Sequence, residues 1–125
     1  MREYYDYVRK TNEGGGNLMP KPTVYITNKS VHDFSAAKAF GKLVYLSENS
    51  VDRFNTSRIY RMFYPVLRKS KKDDYILVTG LTIMNLIAAF IFALKHRRLN
   101  LLLFKTYKGK KEYIERILIG DKEEL

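Results

Sequence analysis

The chain contains no cysteine, no tryptophan and no glutamine. Without cysteine there are no structural disulfides, no thiolate metal sites and no cysteine nucleophile, although that absence fixes no compartment. Two histidines, His32 and His96, are too few to make a zinc site credible, so no metal is expected and no residue pattern calls for a cofactor. The missing Gln and Cys, set beside abundant Lys, Ile, Leu and Tyr, are the bias of proteins that avoid thermolabile side chains, which points to a thermophile. The first residues, Met1-Arg2-Glu3-Tyr4-Tyr5-Asp6, hold no apolar signal-peptide core, and a cytoplasmic protein is expected.

Acid is scarce where base is dense. Lys95 to Lys111 holds seven Lys or Arg residues and no acid, whereas the first sixty-three residues carry ten bases against six acids. Within a net charge of +10, this basic character gathers around one segment. Lys95, Arg97, Arg98, Lys105, Lys108, Lys110 and Lys111, interleaved with Phe104 and Tyr107, form a candidate polyanion surface, with bases for phosphates and a ring for an unpaired base. A strand from Leu99 to Phe104 would put the Lys95–Arg98 group and the Lys105–Lys111 group at opposite ends, about 20 Å apart by strand rise. A solvated helix end and a solvated hairpin turn explain the same residues.

Formal charge is absent altogether from Tyr75 to Leu94, and this stretch organises the chain. Twenty apolar residues as one helix span a bilayer, which gives a single-pass membrane protein as one alternative. The divided reading is preferred, because Thr79, Gly80, Thr82 and Asn85 are expensive in hydrocarbon. Tyr75-Ile-Leu-Val-Thr79 is then a strand, Gly80 breaks it, and Thr82 caps a helix running to about Arg97. Leu99 to Phe104 returns as a second buried strand, completing a βαβ unit.

Residues 1–22 read as a flexible N-terminal extension. Tyr4, Tyr5, Tyr7 and Val8 are able to dock as a short helix, Gly14-Gly15-Gly16 is a linker and no phosphate loop, and Met19 is a candidate natural start. Residues 23–120 form one α/β domain, and 121–125 a tail. Thr23–Thr27 is the first strand. His32 or Asp33 opens a short helix through Ala36, Ala37 and Phe40, which Gly41 closes in the left-handed conformation. Lys42–Leu46 is the second strand. Asn55 or Thr56 caps a helix with Ile59, Met62, Phe63, Val66 and Leu67 at helical spacing, kinked or ended by Pro65. Lys108-Gly109-Lys110 turns the chain into a last antiparallel strand, Tyr113–Ile119, with a terminal helix as the alternative because Glu115 and Arg116 interrupt strict alternation.

The order β-α-β-α-β-α-β-β predicts a small three-layer Rossmann-like α/β fold: about five strands, mostly parallel, the last antiparallel, with crossovers on both faces. Ligands of such sheets bind beyond the carboxyl ends of the strands. That rule selects the loops 27–35, 47–52 and 79–82, and in them Thr27, Asn28, His32, Asp33, Ser47, Thr79, Gly80 and Thr82. Helix-terminal amides there suit phosphate or carboxylate. Ordinary turn and capping chemistry uses the same residue types. Asp73 and Asp74, at the other edge, read as turn residues.

Residues 23–107 resemble a set of small α/β proteins encoded by archaeal viruses and phages. The likeness lies in Ile26-Thr27-Asn28, Phe40-Gly41 before Leu43-Val44-Tyr45-Leu46, Asp74 to Gly80 leading through Asn85, and Asn100-Leu101-Leu102. It implies the fold and a viral source and carries no catalytic residue over. The reading is therefore a binding protein for a nucleotide or nucleic acid, a viral accessory protein acting in host cytoplasm. One alternative is a small hydrolase or transferase acting on a phosphorylated metabolite, with His32 or Asp33 moving the proton. An exposed edge strand also makes a homodimer a fair expectation.

Overall fold

A computed structural model describes residues 21–120. The extension expected at 1–22 and the tail at 121–125 lie almost wholly outside them, as do Tyr4, Tyr5, Tyr7, Val8, the triple glycine and Met19. Five strands, β1 (Thr23–Ile26), β2 (Lys42–Tyr45), β3 (Tyr75–Leu77), β4 (Arg98–Tyr107) and β5 (Lys110–Ile119), form one sheet in the order β2-β1-β3-β4-β5. All pairings are parallel except β4 with β5. The mostly parallel α/β fold with a final antiparallel strand is as expected.

A 3₁₀ helix (Ser35–Ala39) joins β1 to β2, while α1 (Thr56–Leu67) and α2 (Thr82–His96) make the next two crossovers. The first crossover steps to one side of β1 and the later two to the other. Right-handed connections then belong on opposite faces. Strand alternation matches this. Tyr25 and Ile76 face Ile59, Phe63, Leu67, Ala88, Ile91 and Phe92 of the two helices. Their neighbours Val24, Ile26, Tyr75 and Leu77 face Phe34 and Ala37 at the 3₁₀ helix. A side-chain period of two thus fills two cores from strands of only three or four residues.

Several local expectations need correction. Tyr75 to Leu94 is divided as preferred, into strand β3, a loop and the fifteen-residue α2, and only the membrane alternative falls: no helix among the described residues is long and apolar enough to cross a membrane. Thr82 does not cap α2: the cap position is Leu81, whose own side chain makes no capping bond. The first crossover begins from Phe34 rather than His32 or Asp33, although the Asp33 carboxylate accepts the Ser35 N–H at 2.9 Å. Gly41 adopts no left-handed backbone. It is needed because a Cβ there would sit 2.0 Å from the Pro22 carbonyl oxygen, which accepts the Lys42 N–H. Asn55 caps α1 through the Arg58 N–H, and Pro65 lies in the final turn. The left-handed position at the end of α2 is taken by Arg97, with φ of 55°.

Asp74 is buried at the amino edge of the sheet, where its carboxylate accepts the Thr23 and Lys71 N–H groups and the Tyr25 hydroxyl. Burial, reinforced by Asp74, pushes the Tyr25 phenol up to about 12. Buried Asn100 donates to the Lys72 and Asp74 carbonyls, fastening β4 to the loop before β3.

Candidate functional site

At the carboxyl edge, β1 and β3 are neighbours whose onward connections diverge, the place where open α/β sheets hold ligands. Thr27 and Thr79, just past these strands, meet hydroxyl to hydroxyl at 3.2 Å. Ser47 donates to the Thr27 carbonyl at 2.6 Å, and Asn28 donates to the Ser47 hydroxyl and the Asn49 carbonyl. Asn85, reaching back from α2, donates to the Thr79 carbonyl at 2.8 Å. The Thr79 hydroxyl in turn accepts the Leu81 N–H. Thr27, Asn28, Ser47 and Thr79 are therefore the stitching that holds three loops at fixed spacing.

Beside this network lies a cavity of about 570 Å³, lined by Val51–Phe54 and Gly80–Met84. Gly80 and Thr82 belong to it. Arg53 and Phe54 do too, with the guanidinium 5.6 Å from the Phe54 ring centre and the ring itself 84% exposed. The Asp52 carboxylate is also present, held by the Phe54 N–H at 2.9 Å. The mouth of α2 has no side-chain cap and no acid in its own first turn, so the helix itself supplies nothing against the positive end of its dipole, and Asp52 is the carboxylate that lines the same cavity. Nothing lies within 4 Å of where a Gly80 Cβ would be. The cavity combines a flat apolar wall, a cation and a helix terminus, which suits a small molecule with an anionic end.

His32 and Asp33 sit elsewhere. His32 packs edge-on against Phe34, part of the core on the 3₁₀ side, and Asp33 lies near Lys38, Lys111 and Tyr113. Both are exposed, and no hydrogen bond joins them. The Ser35 hydroxyl and amide hold the Asp33 carboxyl below its usual range. The sheet thus divides the single cleft expected from the sequence, leaving His32 and Asp33 on the far side from Arg53 and Gly80. No sequence signal marks Arg53 and Phe54, since the turn-forming residues of that loop end at Asp52.

The candidate polyanion residues separate as strand rise dictates. Lys95, Arg97 and Arg98 lie at the amino edge, where Lys95 donates to the Arg68 and Ser70 carbonyls and Arg98 to Asn100. Lys105, Lys108, Lys110 and Lys111 lie on the β4–β5 ribbon, which outruns β3: β3 pairs only with Leu101 and Leu102, while the ribbon continues to Tyr107 and Lys110. Positive φ at both Lys108 and Gly109 makes the tip a two-residue turn of the type that matches strand twist. The ammonium groups of Lys105 and Lys108 stand 5.6 and 5.3 Å from the Tyr107 ring centre. The ribbon rises from the same edge as the cavity.

A doubly wound α/β domain with an antiparallel edge and a cleft at its switch point is the class these features define. Residues 22–118 match the family model described as Phage Pam3 gp32-like protein, and the chain belongs to that family. The expected kinship with phage proteins is met, and the match does not extend to archaeal viruses. No curated protein and no solved structure matches the chain significantly.

Proposed function

We propose that this phage-family protein is a viral accessory protein that binds a nucleotide in the cavity between the 51–54 loop and the start of α2. The observation that carries the reading is the juxtaposition of exposed Phe54, Arg53 and the uncapped α2 terminus around about 570 Å³. A base stacks on the ring, and the phosphates meet the guanidinium and the helix dipole. Asp52 disfavours phosphate beside it and favours donors of the sugar or base at that wall.

The basic ribbon supports a second reading, in which the nucleotide belongs to a nucleic-acid strand that continues across Lys105, Lys108, Lys110 and Lys111. Thermal melts of the full chain with nucleoside phosphates and with single- and double-stranded oligonucleotides separate the two, since binding to the native state raises Tm. Stabilisation by a mononucleotide that Gly80→Asp and Arg53→Ala each weaken about tenfold or more supports the cavity. Stabilisation by oligonucleotides alone, weakened by Lys108→Glu with Lys110→Glu and with a salt slope reduced by about two, supports the ribbon. No shift with any of these ligands overturns both.

A further inference from the structure

The outer surface of the helical layer is apolar where solvent would call for polar residues. Leu86, Phe90 and Leu94, at successive turns of α2, are 59%, 57% and 69% exposed, and Tyr60 and Tyr64 of α1 lie beside them, 36% and 41% exposed. The Tyr60 and Phe90 rings approach across the two helices with centroids 6.5 Å apart, and Tyr60 meets Tyr64 at 5.6 Å. The rings bridge the seam between the helices, so the surface is a broad apolar plateau running along both of them. Apolar patches of this kind mark interaction surfaces.

Charge selects the occupant. From Arg53 to Lys72 there are seven Lys or Arg residues and no acid, and neither helix contains an Asp or Glu. A second copy of this chain would bring another +10 molecule with the same acid-free helices against it. We propose that the α1–α2 plateau docks on an anionic lipid surface, with Leu86, Phe90 and Leu94 entering the boundary between headgroups and acyl chains and Tyr60 and Tyr64 at headgroup level. Tyrosine favours that depth, and Arg61, which lies with Tyr60, Leu86 and Phe90 at the seam of the two helices, is placed to meet lipid phosphates. The helices lie on the bilayer and do not cross it, which agrees with the fifteen-residue length of α2.

Co-sedimentation of the full chain with vesicles tests this, using phosphatidylcholine alone and phosphatidylcholine mixed in equal parts with phosphatidylglycerol. The expected result is binding to the mixed vesicles only, reduced about tenfold or more by Leu86→Ser, Phe90→Ser and Leu94→Ser together. All three side chains are exposed, so the variant should keep its melting temperature, and a melt checks that it folds. Unchanged binding of this variant means that charge alone adsorbs the protein, and absence of binding means that lipid is not the partner; either overturns the proposal. Sedimentation velocity provides the remaining arm, because a wild-type dimer that the triple variant converts to monomer would assign the plateau to a second copy instead.

Discussion

Gly41 and Gly80 look alike in sequence, each placed beside a helix end, but their surroundings assign them opposite sensitivities. A methyl group at Gly41 would drive into the Pro22 backbone at 2.0 Å, and the chain there cannot retreat without losing the Lys42–Pro22 hydrogen bond that begins the β1–β2 pairing. Gly41→Ala should therefore cost about 2–4 kcal/mol, while Gly80→Ala, facing open space, should stay within about 0.5 kcal/mol. Urea unfolding of the two variants checks the contrast, and equal losses would refute it. The open space at Gly80 also makes it a clean place to alter the cavity. A sequence shows that glycine is present without showing which neighbour requires it. For Gly41 that neighbour is a carbonyl nineteen residues earlier, out of reach of local pattern.

At the scale of elements, the end of α2 is fastened by a polar cluster with a titratable member. His96 meets the Ser70 hydroxyl at 2.8 Å and packs its ring against Phe92, while Ser70 itself donates to the Leu67 carbonyl at the end of α1. Burial first, then nearby Lys95, holds the imidazole below its ordinary range, with Arg98 acting in the same direction and Asp74 opposing. The unfolded chain thus takes up this proton at higher pH than the folded one does. Stability from this group is complete above about pH 6.5 and falls as pH drops through that value toward the folded pKa. Melts across that window should show a loss in the wild type that His96→Gln diminishes, and identical pH profiles would remove His96 as the cause.

The elements themselves were largely legible in the sequence, because short buried strands and amphipathic helices carry their periods locally. Strands β4 and β5 are the exceptions: their apolar patterns cover Leu99–Phe104 and Tyr113–Ile119, and the strands run over Arg98–Tyr107 and Lys110–Ile119. The last residues of β4 are charged or polar and pair only with β5, so no hydrophobic signal announces them. The cavity was half legible. The switch-point rule led to Gly80 and Thr82, but Arg53 and Phe54 reach it through the fold of a loop that turn chemistry alone does not extend so far. His32 and Asp33 followed the same rule and fell on the opposite face, because loop position does not say to which side of a sheet a side chain turns.

Over the whole molecule, protection should follow the order of the sheet. β1 and β3 lie inside it, with neighbours on both sides, whereas β2 is a four-residue edge and the ribbon tip is paired on one side alone. Hydrogen exchange should therefore be slowest in 23–26 and 75–77 and fastest in 104–113, with β2 between. Exchange in β2 as slow as in β1 would contradict this ordering and point to a covered edge, as a homodimer through that strand would produce. The position of β1 also bears on synthesis. β1 is the first of the five strands to leave the ribosome, yet one of its two flanking partners lies far downstream, as the Thr23–Asp74 bond shows at a separation of 51 residues. At about 5–20 residues per second, the nascent strand waits roughly 3–10 seconds with one side unpaired. The order of translation thus leaves the centre of the sheet open to chaperones before the chain itself can close it.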